Sequence, residues 1–398
     1  MIIQYVFSSP GGSVPLAPDD LFIPFKINLS ETHPSLTLGD YFGAIRAFLL
    51  DKKQSALAVS IHDTRGDMDF SSEDIRKMVI RSEKHGALYH IASVEVFALN
   101  GNDPVKFAIS TAISEQGREC LEREYALLKS LDRPCESGWL PRPYCIGEVV
   151  CKKGEILSMC VSEWFEDFHE WHHRLDDDGE SQKICIWDMK RGYRYAIEQE
   201  AFGIFRKASM ILTHYYNIND GSQIFPWHHA AGDFVVSCRN GKTDVRLTAV
   251  RGYDSVIAPG KNGISGRIIA LVYFLLNMTV KMRIDKLDGT GETVWADDFV
   301  LDATLQGFLD ALLAIKANEG YPPDMVKNLF SLLRSFDLDE IRTLLCSMLE
   351  LYPEEDPNDL LIIEANLDRH VRQLHRILQE NTLYKYPWRE RCNAMDIN

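Results

Sequence analysis

The sequence has little that points to a secreted, membrane-spanning, redox or nucleic-acid-binding protein. Its nine cysteines are scattered through 398 residues, and no two form a CxxC pair. An odd number at irregular spacing suggests neither a disulfide framework nor a zinc ribbon, so reduced thiols in a cytoplasmic protein are expected. Positive charge is in deficit: 43 Lys and Arg stand against 58 Asp and Glu, a net charge of -15. Nucleic acids and anionic membranes are recognised by clustered Lys and Arg, so neither is expected as a main partner. A local basic pocket for a phosphate stays open. The longest apolar run, IIALVYFLLNMTV at residues 268–280, is too short to cross a bilayer and fits a buried helix. The N-terminus lacks a basic stretch followed by an apolar core, so no signal peptide is expected.

Glycine-rich phosphate motifs are also missing. GTGETVW, residues 289–295, lacks the lysine and helix start of a P-loop. No internal repeat or low-complexity tract occurs. What remains is a globular composition, 45% hydrophobic and 25% charged. The length exceeds one ordinary core, so two lobes, or one domain with large appendages, are expected.

Residues 36–53, LTLGDYFGAIRAFLLDKK, place Tyr41, Ile45 and Leu49 at helical spacing. FSSEDIRKM has a serine cap followed by acids and opens a short helix. From about residue 78 to 112 the period changes to alternation, broken at His85-Gly86 and at Asn100-Gly101-Asn102-Asp103-Pro104. That pattern predicts three antiparallel strands. A helix follows at residues 115–131, with Leu121, Tyr125 and Leu128 on one face. After a proline-rich loop, YCIGEVVCKKG and EILSMCVSEWF predict two more strands.

Beyond residue 166 the chain reads as mainly helical. EDFHEWHHRLDDDGES is expected to be a polar connector, and residues 191–217 one long helix. His169, His172 and His173 would share a helix face and could hold a metal, but no HExxH is present and surface polar residues are the favoured reading. FPWHHAAGDFVV follows at residues 225–236. Then come a hairpin turn at residues 238–242, a strand at 244–250, and helices broken at Asp288-Gly289 and at Gly320-Tyr321-Pro322-Pro323.

Three strands, a helix, two strands, a connector, a long helix, a loop, a strand pair and further helices make a specific order. It resembles the protein-kinase-like fold, in its small-molecule-kinase branch of aminoglycoside phosphotransferase, choline kinase and lipopolysaccharide core kinase types. The likeness covers residues 78–350. The implied class is α+β and bilobal, with a small antiparallel-sheet N-lobe and a mainly helical C-lobe. The implied division is 1–77 as an N-terminal extension or added module, 78–165 as N-lobe, and 166–398 as C-lobe with C-terminal helices. The resemblance also implies ATP with magnesium in an interlobe cleft, gripped by a glycine-rich loop, a lysine–glutamate pair and metal-binding acids.

Carried over residue by residue, this machinery is incomplete. The phosphate loop falls on residues 82–90, with Gly86 as its one glycine and Lys84, His85 and His90 beside it; an ordinary polar hairpin tip is the competing reading. The strand lysine is replaced by Ser110, and Lys106 lies four residues back, about 13 Å along the strand. Glu124 matches the helix glutamate, although a glutamate on a helix is commonly just solvated. Glu163 falls at the adenine-gripping hinge. In FPWHHAAGDFVV, His228 stands where the catalytic aspartate belongs and Asp233 where the metal-binding asparagine belongs. Asp233 could ligate magnesium, and His228 could act as a base. Arg251 occupies the place of the metal aspartate, exchanging a cation-binding group for an anion-binding one.

Three readings follow. One is a pseudokinase that binds a nucleotide or other anion. The second is a divergent phosphotransferase or nucleotidyltransferase acting on a polar small molecule or sugar, with His228, Asp233 and Arg251 as its catalytic set. The third is a non-catalytic interaction protein. The amphipathic C-terminal helices could cover the large lobe or form a homodimer face.

Overall fold

The structure is a computed structural model that describes residues 1–9, 12–27, 31–51, 55–66, 70–86, 88–99, 103–132, 138–151, 154–176, 179, 181–188, 191–260, 263–315, 325–349 and 357–380. The turn at 100–102, the break at 320–323, Cys135 and Cys392 lie outside the described residues. The chain forms two compact units. The first comprises Met1–Phe168, Asp188–Tyr193 and Thr248–Gly252, and the second the remainder.

In the first unit, β1 (Ile2–Ser9), β2 (Gly12–Pro15), β3 (Pro24–Lys26) and β4 (Thr32–Thr37) precede helices α1 (Leu38–Leu49) and α2 (Ala56–Arg65). The expected alternating strands follow as β5 (Ile75–His85), β6 (His90–Ala98) and β7 (Val105–Ala112). Helix α3 (Glu115–Leu131) falls where its periodicity placed it, and β8 (Pro143–Val150) and β9 (Ile156–Glu163) complete the order. The sheet runs β2-β1-β5-β6-β7-β9-β8. All its pairings are antiparallel except β1 with β5, which is parallel.

Both sheet faces are covered. On one, Phe107, Ile109, Met159 and Val161 pack against Tyr41, Phe42, Ile45 and Leu49 of α1. On the other, Ala112 and Cys160 meet Leu121 of α3. Helix α1 begins with a capping box: Thr37 accepts the Asp40 N–H, and Asp40 accepts the Thr37 N–H. The first 77 residues thus supply edge strands and a helical cover to the same unit. A sheet with two apolar faces needs that cover, since either face left wet would expose its alternate strand residues.

Next in the chain, β10 (Trp171–Leu175), β11 (Gln182–Asp188) and β12 (Gly192–Tyr195) form a small sheet. This differs from the expected polar connector and from the helix start at 191. GYRY pairs as a strand, and Ala196 N–H donates to the Ile184 carbonyl at 2.8 Å, so helix α4 (Glu198–His214) begins only after it. Next come β13 (Ser222–Ile224), the hairpin β14 (Phe234–Arg239) and β15 (Lys242–Leu247), and β16 (Tyr253–Ser255). Asn240 and Gly241 carry φ of 51° and 73°, as a two-residue hairpin turn of type I′ requires.

Helix α5 (Gly263–Lys281), β17 (Ile284–Lys286), β18 (Thr293–Trp295), α6 (Phe299–Ala314), α7 (Met325–Ser335), α8 (Leu338–Leu349) and α9 (Pro357–Gln379) finish the chain. Helix α5 is longer than the apolar run suggested and is long and apolar enough to cross a membrane. Its Leu271, Leu275, Met278 and Val280 are nonetheless buried inside this unit. Helices α4 and α6 cross at Gly307, where a Cβ would collide with the Arg206 carbonyl oxygen. Only glycine permits that approach. The α+β class and the order of sheet, α3 and a mainly helical second unit are those expected from the sequence.

Candidate functional site

Helix α3 buries Leu121, Leu128 and Leu131, and Glu124 lies in the same stripe at 7% exposure. An acid in that position needs partners, because burying an unpaired carboxylate is costly. Glu124 accepts the backbone N–H of Val250 at 2.8 Å and the hydroxyl of Tyr89. Tyr89 is set by the β5–β6 turn, where Gly86 N–H donates to the Tyr89 carbonyl at 3.1 Å and a Cβ on Gly86 would lie 2.7 Å from that oxygen. The one glycine of the supposed phosphate loop therefore has a steric duty within the turn. The turn is in turn anchored through Tyr89 to α3.

The other loop residues divide between surface and core. Lys84 is partly exposed. His90 is 4% exposed and packs edge-on against Phe25 at 4.6 Å; burial pushes its imidazole down to about 3. On β7, Lys106 stacks over Trp164 at 4.1 Å and pairs with Glu166 at 3.8 Å. Lys106 is thus bound to the end of β9 and does not take the place of the absent strand lysine. Glu163 accepts the Arg142 N–H at 3.3 Å while its own N–H donates to the Arg142 carbonyl at 2.9 Å. Arg251 is partly exposed and follows directly on Val250, the residue tied to Glu124.

The second unit holds the rest. Asp233 is 2% exposed, and its Oδ2 accepts the His228 N–H at 2.8 Å. The acid closes its own loop, as short polar side chains do in turns. His228 Nε2 lies 3.5 Å from Oδ2 of Asp359 in the first turn of α9. His229 points inward at 2% exposure, ringed by Trp171, Phe205, Trp227 and Phe234. Burial pushes it down to about 3, so it is a neutral core residue. The structure thus brings His228 and Asp233 together in one loop, and sets Glu124 beside the residue preceding Arg251. Among the described residues, no group of three or more His, Cys, Asp or Glu side chains is arranged to hold a metal ion.

One polar cluster was misread in the sequence. His172 and His173 lie on β10, not on a helix, and are 1% and 2% exposed. Buried Asp285 accepts the His173 N–H at 3.1 Å, and its Oδ1 lies 3.8 Å from His172 Nδ1. Glu170 stands 3.7 Å from the other ring nitrogen. Burial opposes charge on His172, but the two carboxylates outweigh it and raise its pKa. For Asp285, burial raises the pKa, and the neighbouring imidazoles, His172 first, outweigh it and leave the carboxyl lowered. The partner lies 112 residues away in sequence, and only the fold joins them.

No protein-family model matches the sequence, and no curated protein matches it. Solved structures do. WaaP in complex with acyl carrier protein is 10% identical, over 72% of this chain and 96% of that one, with a TM-score of 0.26. The MAP kinase LmaMPK10 from Leishmania major is 10% identical, over 83% and 87%, with a TM-score of 0.28. The PAN3 pseudokinase of Drosophila melanogaster is 11% identical, over 75% and 65%, with a TM-score of 0.26.

Proposed function

We propose that this chain is a pseudokinase: a kinase-like protein that binds a nucleotide or another anion and does not carry out metal-dependent phosphoryl transfer. The observation that carries this reading is the bonding of Glu124. A kinase uses the helix glutamate to hold a lysine on the nucleotide phosphates. Here the carboxylate is taken by the Tyr89 hydroxyl and the Val250 N–H, and Ser110 stands at the lysine position. Arg251 fits the same account, since a guanidinium attracts phosphate and repels magnesium. Asp233 supports it too, because one carboxylate oxygen already closes the His228 loop.

ATP, the expected cofactor, would then bind without a required metal. The test is a thermal-shift and calorimetric titration with ATP, with magnesium and with EDTA. Binding of similar strength in both supports the reading. Binding only with magnesium overturns it.

One observation favours a second reading, a divergent phosphotransferase or nucleotidyltransferase for a polar small molecule. The His228–Asp359 pair has the form of a base oriented by a carboxylate. In that case Asp233 would carry the metal, and turnover of ATP would be abolished by both His228→Ala and Asp233→Ala. Absence of turnover in the unaltered protein removes this reading.

A further inference from the structure

The seven-stranded sheet of the first unit ends at β2, and an exposed apolar rim runs along this edge and the turn that follows it. Val14 is 51% exposed, Phe22 76% and Ile23 47%, and Pro15, Ala17, Pro18 and Pro24 beside them are also exposed. Val14 lies opposite Phe7 in the sheet, and Phe7, Leu16 and Leu21 all pack into the core cluster that holds α1. Strand and turn thus share one side of the sheet. The rim is one surface, not apolar side chains scattered singly.

Phe22 is held outward by a fastened turn. It ends a 3-10 turn, Pro18–Phe22, in which Asp20 Oδ2 accepts the Ala17 N–H at 2.7 Å and the Asp20 carbonyl accepts the Ile23 N–H at 3.1 Å. The Ile23 carbonyl accepts the Leu38 N–H at 2.9 Å, which joins the turn to the start of α1. An aromatic side chain on a fixed turn gives up little freedom on docking. Strand addition is poorly served here. Leu16 N–H bonds to the Tyr5 carbonyl on β1, so Pro15 faces the free edge, and it has no N–H to offer.

The charges flanking the rim are self-complementary. Exposed Asp19 stands three residues before Phe22, and exposed Lys26 three residues after Ile23. Phe25 of β3 is buried, so Pro24 and Lys26 face outward together. A two-fold axis at Phe22–Ile23 sets Asp19 of each copy against Lys26 of the other, as an isologous contact requires. A net charge of -15 makes two copies repel over much of their surface, but Asp19, Asp20 and Lys26 are the only charged residues between 12 and 26. The C-terminal helices, the face expected from the sequence, use Ile363, Leu367, Val371 and Leu374 of α9 within the chain, where all four are buried.

We propose that this rim binds a second copy of the chain: Phe22 and Ile23 of the two copies pack together, and Asp19 and Lys26 pair across the axis. The face includes none of the residues assigned to nucleotide or anion binding, and the dimer does not depend on that assignment.

The test is sedimentation velocity on the full chain, in a concentration series reaching about 100 µM, where a small interface assembles. The unaltered protein should pass from monomer to dimer. Phe22→Glu should weaken the dimer about a hundredfold, because each dimer holds two such anchors at about tenfold apiece. Asp19→Lys and Lys26→Asp should each weaken it about tenfold, since two attractive pairs become repulsive. Mixing these two variants should restore the dimer, because opposite charges then meet at both contacts. All three positions are exposed, so the variants should melt as the unaltered protein does when dilute. A monomer throughout the series overturns the proposal, and capture of that monomer by zwitterionic vesicles through Phe22 would give the face to lipid instead. A dimer that survives Phe22→Glu, or single charge variants that mixing does not restore, overturns it as well.

Discussion

Glu124 accepts the backbone N–H of Val250 at 2.8 Å, and that bond ties the middle of α3 to the residue just before Arg251. The carboxylate is therefore a structural strut. Glu124→Ala should destabilise the first unit by about 2–4 kcal/mol, because it removes the acceptor of the buried Val250 N–H and of the Tyr89 hydroxyl. Tyr89→Phe should cost less, about 1 kcal/mol, since it removes one of the two bonds. Neither change should weaken ATP binding beyond the effect of lost stability. Denaturant unfolding and ATP titration on the same samples separate the two. A large fall in ATP affinity at unchanged stability would return Glu124 to the role it has in a kinase.

Acid should destabilise the protein well before its carboxylates titrate. His90, His229 and His370 are each pushed by burial down to about 3, from an ordinary value of 6.5. Between those values the unfolded chain binds protons that the folded one refuses, so stability falls as pH drops through that window. The loss is up to about 1.4 kcal/mol per pH unit for each histidine. His172 works the other way: its raised pKa makes a contribution that is present at low pH and lost as pH rises through the folded value. It offsets part of the loss. Guanidinium midpoints at pH 7 and pH 5 should differ clearly, with the lower at pH 5. A flat profile would mean that burial does not hold these imidazoles neutral in the folded protein.

Asp285 and His172 form the ion pair behind that opposing term, 3.8 Å apart and both about 1% exposed. Asp285→Asn keeps the shape and still accepts the His173 N–H. It removes the charge, so it should lower the His172 pKa, an effect read directly from the imidazole signals in an NMR titration. Breaking a buried pair from one side should also cost about 3 kcal/mol. An unshifted His172 would assign its raised pKa to Glu170 alone.

Arg283 is buried at 1% exposure with its guanidinium bonded to the Ala296 carbonyl, Gln373 and Asp298. It thus fastens α9 to the start of α6. Arg283→Met should lower stability by about 3 kcal/mol, because the Ala296 carbonyl and the buried Gln373 amide oxygen lose their charged donor. Arg283→Lys should recover less than half, since an ammonium cannot reproduce the planar fork. Full recovery by lysine would show that charge, rather than geometry, is what the site uses.

The sequence was most legible where periodicity and caps are local. Strands β5 to β9 and helix α3 follow from alternation, Asn-Gly and Ser114 capping, all within a few residues of one another. Glu124 could have been read further: it interrupts the stripe Leu121, Leu128, Leu131, and an acid inside an apolar stripe signals a buried partner. The partner could not be read, because Val250 lies 126 residues on. The parallel seat of β1 against β5 was hidden for the same reason, since register depends on contacts absent from the local pattern. Trp171-His172-His173 misled because three consecutive buried residues follow neither the strand nor the helix period.

The account turns most directly on the metal dependence of nucleotide binding. A calorimetric titration of ATP into the full-length protein, once with magnesium and once with EDTA, tests it in one experiment. On the proposed reading, in which Arg251 replaces a metal-binding acid, the two affinities should agree within about twofold, a difference of about 0.4 kcal/mol. Affinity about tenfold or more tighter with magnesium would contradict the account and make Asp233 a metal ligand.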